Sequence, residues 1–204
     1  MTKQPLAQQR MRTRKDILRA AARLLKTGRS PSIEEVAKEA LVSRATAYRY
    51  FSCIDDILLE APVDEAVPDP ADIFPADSSL GLAERVDQAE AALHSICYKN
   101  EPQLRLMLAQ CLKRPLPASG KNELPVRQNR RTDYIDAALK PFRNEFDKET
   151  YERLRAALAL IFGTEAMIVF RDVVPLAPSR ARALKRWMLH ALIRAAQDEQ
   201  RKKG

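Results

Sequence analysis

Between residues 32 and 51 the chain reads Ser32-Ile33-Glu34-Glu35-Val36-Ala37, then residues 38–41, then Val42-Ser43-Arg44-Ala45-Thr46-Ala47-Tyr48-Arg49-Tyr50-Phe51. Two helix starts lie close together in it. Ser32 with Glu35 three residues on is a capping box: the hydroxyl accepts from the Glu35 N–H and the carboxylate reaches back to the Ser32 N–H. Pro31 before it disfavours helical backbone at Ser30. Ile33, Val36, Ala37 and Ala40 give this short helix an apolar face. Ser43 is a second good N-cap, opening a helix from Arg44 to about Phe51. In that helix Ala47, Tyr50 and Phe51 share one face, while Arg44, Ala45, Tyr48 and Arg49 share the opposite one. One side suits packing; the basic, aromatic side is left for something else.

Upstream, a helix is expected from Arg14 to Lys26. Thr13 and Asp16 form a weaker relative of the capping box, and Ile17, Ala20, Ala21, Leu24 and Leu25 make one apolar stripe. Gly28 ends it. Downstream, Asp55-Asp56 suit the positive start of a fourth helix, which carries Ile57, Leu58 and Leu59 and stops near Pro62. Residues 62–79, with Pro62, Pro68, Pro70, Pro75 and several acids, read as an irregular acidic linker or as a flap ordered against the second domain. The rest is helical in pattern: Gly81–Lys99, Gln103–Lys113, Val126–Lys140, Lys148–Asp172 and Arg180–Lys202, with a Pro-containing loop over 114–125. No repeat, strand pattern or low-complexity tract interrupts it.

Charge divides the chain unevenly. The net charge is +8 over 204 residues. Residues 1–54 hold twelve Lys/Arg against four Asp/Glu, an excess of +8 that accounts for the whole, so the remaining residues are neutral in sum. A polyanion-binding module with a neutral domain after it fits this; a basic solvated surface without a partner is the alternative. Cys53, Cys97 and Cys111 are widely spaced, with no CxxC pair and no Cys/His pattern, which speaks against a disulfide framework or a zinc site and for a reduced, cytoplasmic compartment. The N-terminus has no secretory pattern. The most apolar run, Ala156–Phe170, is broken by Glu165 and too short to span a bilayer, so no membrane association is expected. No nucleophile elbow, phosphate loop, dinucleotide fingerprint or metal cluster points to an enzyme or to a cofactor.

The Ser32–Phe51 stretch, together with Ile54-Asp55-Asp56-Ile57-Leu58 after it, resembles the DNA-binding domain of the tetracycline-repressor (TetR-like) family over roughly residues 12–60. The resemblance implies an all-α fold: an N-terminal three-helix helix-turn-helix DNA-binding domain over 1–54 and a C-terminal helical regulatory and dimerisation domain over 55–204. Helix-turn-helix physics agrees with it, since a short positioning helix and a tight turn set the outer face of a recognition helix into the major groove. Arg44 suits a guanine edge or a phosphate. Ala45 allows close approach and can touch a thymine methyl, and Thr46 can bond a base edge or phosphate. Tyr48 and Arg49 match family positions that contact DNA. Ser32 and Ser43 mark the starts of the two helices, where N–H groups suit phosphate. Tyr50 is read as core with its hydroxyl near the DNA edge. The basic run Arg10-Met11-Arg12-Thr13-Arg14-Lys15 adds Arg12 and Arg14 as candidate backbone contacts, or else is a solubilising tail. One departure stands out. The family usually has Gly where this chain has Leu41, because that turn residue often takes positive φ, which costs Leu roughly 1–2 kcal/mol.

The last two helices are the expected homodimer interface: Ala156, Leu160, Gly163, Met167 and Phe170 on one, and Leu184, Trp187, Met188, Ala191 and Leu192 on the other. With their symmetry mates they would form the four-helix bundle that the resemblance implies. One short recognition helix reads few bases alone, so a dimer on a palindromic operator is expected. The resemblance also implies a pocket for a small-molecule effector; His94, Gln110, Glu165 and Trp187 are the polar or amphipathic groups near apolar faces. The expected function is a sequence-specific double-stranded-DNA-binding regulator, a repressor relieved by its effector. A transcriptional activator and a nonspecific nucleic-acid-binding helical protein are the alternatives.

Overall fold

The computed structural model describes residues 4–28, 30–74, 79–113 and 130–203. Among these there is no strand; every regular element is helical. The chain divides into two compact units, one of residues 1–67 and 102–127, the other of 68–101 and 128–204.

The first unit is built from α1 (Gln4–Leu25), α2 (Ile33–Glu39), α3 (Arg44–Tyr50) and α4 (Ile54–Ala66). Its core joins Ile17, Leu18 and Ala21 of α1 to Val36 of α2, Ala47 of α3, Phe51, and Ile57 and Ala61 of α4. Of the apolar stripe, Ile17, Ala20 and Ala21 are buried, Leu24 and Leu25 only half-buried, and Leu18 and Ala22 join the buried face beside them; Gly28, at φ +79°, terminates the first helix as its position suggests. Two boundaries differ. First, α1 begins well before Arg14, and Thr13 is no cap: its hydroxyl donates back to the Gln9 carbonyl, 3.1 Å away, in mid-helix. Second, α4 runs through Pro62 to Ala66 rather than stopping there. Pro62 lies on the exposed side while its neighbours Ala61 and Val63 are buried, so packing holds the helix across a missing N–H. The compact N-terminal unit accordingly extends to Val67, beyond the boundary expected at 54, because α4 shares its core.

The second unit contains α5 (Pro70–Ile73), α6 (Leu82–Lys99), α8 (Arg130–Leu139), α9 (Lys148–Ile161), α10 (Thr164–Ile168) and α11 (Pro178–Lys203). A further helix, α7 (Glu101–Lys113), lies between α6 and α8 in sequence, and its residues from 102 onward group with the first unit. The expected linker is thus partly ordered. Asp69 caps α5, its carboxylate accepting from the Ala71 N–H at 3.0 Å, and the buried Tyr134 donates to the Pro68 carbonyl at 2.6 Å. Burial pushes the Tyr134 phenol up to about 12. The helix expected over 148–172 is broken. Gly163, at φ +98°, turns the chain between α9 and α10, and Val169–Val173 continues as a π turn. Arg131 secures the corner by donating to the Ala159 carbonyl at 3.0 Å and pairing with Glu165. The positive φ favours glycine there, and a Cβ at 163 would stand 3.2 Å from that guanidinium, which would have to shift slightly to admit it. The start expected at Val126 and the loop over 114–125 lie outside the described residues.

Candidate nucleic-acid interface

The capping box at Ser32 is formed: its hydroxyl accepts from the Glu35 N–H at 3.2 Å and the Glu35 carboxylate from the Ser32 N–H at 2.8 Å. α2 then ends through Ala40, and Leu41 makes the turn at φ +56°, the one non-glycine residue with positive φ among the described residues. The Val42 N–H donates to the Ala37 carbonyl at 2.9 Å and closes the turn. The family departure at this position is therefore a real left-handed leucine, and its side chain is 93% exposed.

Ser43 caps α3 by accepting from the Thr46 N–H at 3.1 Å, and its hydroxyl also lies 2.9 Å from the Thr46 hydroxyl. The helix is anchored by Ala47, Tyr50 and Phe51, all buried. Arg44, Ala45, Tyr48 and Arg49 are exposed together on the other side. Arg44 donates to Glu34 at 2.8 Å and its guanidinium lies 5.4 Å from the centre of the Tyr48 ring. Hydrogen bonding to Tyr48 and the charge of Glu34 raise its pKa, so it stays cationic. The pair with Glu34 is largely solvated and is worth little, so a phosphate or base edge can displace it.

Tyr50 is buried in the core, as its apolar face suggests. Arg14 is turned inward, donating to the Tyr50 carbonyl at 3.1 Å, pairing with Glu60 and stacking 4.1 Å from the centre of the Phe51 ring. The run from Arg10 to Lys15 is helical, so Arg12 projects from the exposed side of α1 and not from an extended arm. Glu34 and Glu60, which sequence reasoning does not single out, are the partners that sort these cations. Nothing in the local pattern marks them, since Glu60 lies 46 residues from Arg14.

In the second unit the expected interface splits. Ala156, Leu160 (79% exposed), Leu184 and Trp187 (64%) are exposed, and Met188, Ala191 and Leu192 half-buried. Met167 and Phe170 are buried and Gly163 lies against Arg131, so these three serve the chain's own core and corner; the turn at 163 rotates them off the Leu160 face. Of the polar candidates, His94 is buried and Glu165 pairs with Arg131. Gln110 is half-buried. Trp187 lines an open groove of about 570 Å³ with His190, Arg194 and Gln197. A buried pair that periodicity does not reveal joins Lys185 of α11 to Glu90 of α6.

Among the described residues no cluster of three or more His, Cys, Asp or Glu could hold a metal ion, and no helix is long and apolar enough to cross a membrane. Residues 17–61 match the family model of bacterial regulatory proteins, tetR family. No curated protein and no solved structure matches the chain.

Proposed function

We propose, from the match of residues 17–61 to the tetR family of bacterial regulatory proteins, that this chain is a DNA-binding transcriptional regulator, a cytoplasmic homodimeric repressor that reads a palindromic operator and is released by a small-molecule effector. The observation that carries the reading is the division of α3: Ala47, Tyr50 and Phe51 are buried while Arg44, Ala45, Tyr48 and Arg49 stand exposed on one side. That side takes a major-groove edge, with Thr46 beside it and Arg12, Ser32 and Ser43 toward the phosphates. Dimerisation uses the exposed apolar residues of α9 and α11, which gives two recognition helices on one duplex. Effector binding shifts the separation of those helices and so breaks simultaneous docking. The reading involves no catalytic step and no cofactor.

Selection of bound fragments from random duplex DNA tests it. A palindromic consensus is expected, with log affinity falling linearly and steeply against log salt. Tyr48→Ala and Arg49→Ala should each weaken operator binding by about 1–3 kcal/mol, with circular dichroism and dimer mass unchanged. Unselective binding, or full operator affinity in both variants, would remove α3 from the interface.

A further inference from the structure

The recognition helix is held differently at its two ends. Its N-terminus is capped from within its own sequence by Ser43. Its C-terminus ends in carbonyls that the helix itself leaves without N–H partners. The last of these, at Tyr50, accepts from Arg14 of α1 at 3.1 Å. The same guanidinium pairs with Glu60 of α4 and lies over the Phe51 ring, 4.1 Å from its centre. The Arg14 and Glu60 side chains are only 17% and 7% exposed, against 66% and 47% for the Arg44–Glu34 pair on the outer face. Arg14 is therefore engaged three ways inside the unit and has no free fork for a phosphate.

We propose that Arg14 is a positioning residue: by bridging Glu60 to the end of the recognition helix it makes α3 and α4 one mechanical piece. The arginine fork is what permits this. It presents several N–H groups in a fixed plane, so one edge serves the carboxylate and another the carbonyl, while the flat face covers an aromatic ring. A lysine ammonium supplies the charge without that geometry. Glu60 thus holds, through Arg14, the end of α3 that sets the aim of Tyr48 and Arg49. The inference rests on the DNA-binding reading and names the side chains that hold its recognition helix in place.

Full-length Arg14→Gln, Glu60→Gln and the double variant, measured against the selected operator and a random-sequence duplex over a range of salt, test it. Each single change should weaken operator binding roughly tenfold or more, the scale of a lost charge-assisted hydrogen bond. Random-sequence affinity and the salt slope should stay as in the wild type. The double variant should be no worse than either single one, because all three abolish the same Arg14–Glu60 ion pair. A merely stabilising role would leave the operator-to-random ratio of the folded protein unchanged, and that result overturns the proposal. So does the opposite pattern, in which Arg14→Gln weakens both duplexes with a shallower salt slope while Glu60→Gln tightens both; Arg14 would then be a phosphate contact. If Arg14→Gln does not fold, Arg14→Lys keeps the charge, loses the fork and is read in the same way. Failure of the wild type to select any palindrome would instead strike the DNA-binding reading itself.

Discussion

α3 and α11 are both two-faced helices, and they are two-faced in opposite senses. α3 buries Ala47 and Tyr50 and shows Arg44, Tyr48 and Arg49 to solvent. α11 buries Lys185 among Ala181, Leu189 and Ile193, and shows Leu184 and Trp187. A helix that exposes charge is complete in water and needs a polyanion only to act. One that exposes a tryptophan and buries an ammonium still has apolar surface to hide, and its inner charge must be matched by its own chain. The contrast separates the surface proposed for DNA from the one proposed to meet a second copy of the chain.

The largest effect should come from the inner side of α11. Lys185 and Glu90 are 2% and 3% exposed at the side chain and pair with each other; Arg182 stands 4.0 Å from the second carboxylate oxygen. Lys185→Met leaves Glu90 without its main partner, and the expected loss is about 3–5 kcal/mol in denaturant unfolding. Lys185→Met combined with Glu90→Leu removes both charges and should recover most of it. If the double variant is as unstable as the single one, the pair is not what holds α11 to α6. Acidity sharpens the test. Burial raises the Glu90 pKa against the pull of Lys185, so its folded carboxyl keeps its proton to higher pH than the unfolded one. That contribution is present at low pH and is lost as pH rises through the raised value. His94 acts in the other direction: burial, with Lys185 and Arg182 adding to it, lowers its pKa from 6.5 to about 4. The unfolded chain takes that proton first, so stability is full above 6.5 and falls as pH drops toward 4, by up to about 3 kcal/mol. His94→Gln should flatten this part of the profile, and an unchanged acid limb would show that the imidazole is solvated.

The outer side of α11 comes next. Leu160 and Trp187 are the most exposed large apolar side chains of the proposed interface. Replacing both by Glu should give a folded monomer by sedimentation, because a buried interfacial tryptophan is typically worth about 2 kcal/mol or more in each copy. Retention of the dimer would show that the apolar face meets something else. Met167→Ala is the matched control. Its side chain is fully buried in the protomer, so it should cost about 2–5 kcal/mol of protomer stability through the cavity it leaves.

The same contrast governs how much of each helix is legible in the sequence. Around α3 the large apolar positions fall on one face and only the small Ala45 on the other, so periodicity separates Ala47 and Phe51 from Arg44 and Tyr48. Ser32, Ser43 and Gly28 act on backbone groups within a few residues, and such signals can be read locally. α11 carries apolar residues on two faces. The larger set, with Leu184 and Trp187, dominates the pattern, while the chain's own core takes Ala181, Leu189 and Ile193 with a lysine among them. No period distinguishes a face that meets its own chain from one that awaits another. Arg14 is misplaced by sequence reading for a related reason: in a basic run all cations look alike, and the one that turns inward is chosen by Glu60 and the Tyr50 carbonyl, far along the chain. The break at Gly163 is hidden because the apolar positions on either side continue the helical spacing.

The smallest effect concerns the turn that joins α2 to α3, where local reading and structure agree most closely. Leu41 holds φ +56° with its side chain 93% exposed, so it bears left-handed strain and buries almost nothing in return. Leu41→Gly removes a penalty of roughly 1–2 kcal/mol, and the extra freedom of glycine in the unfolded chain takes back roughly 0.5–1 kcal/mol. The balance is a gain of about 0.5–1 kcal/mol, visible as a small rise in the unfolding midpoint. Leu41→Asn, whose short polar side chain tolerates this backbone, should move in the same direction. Operator affinity should not change, because the capped start of α3 at Ser43 fixes its course independently of the side chain at 41. A loss of stability in both variants would mean that the leucine has a partner that repays its strain; a loss of affinity with stability gained would place it at the DNA.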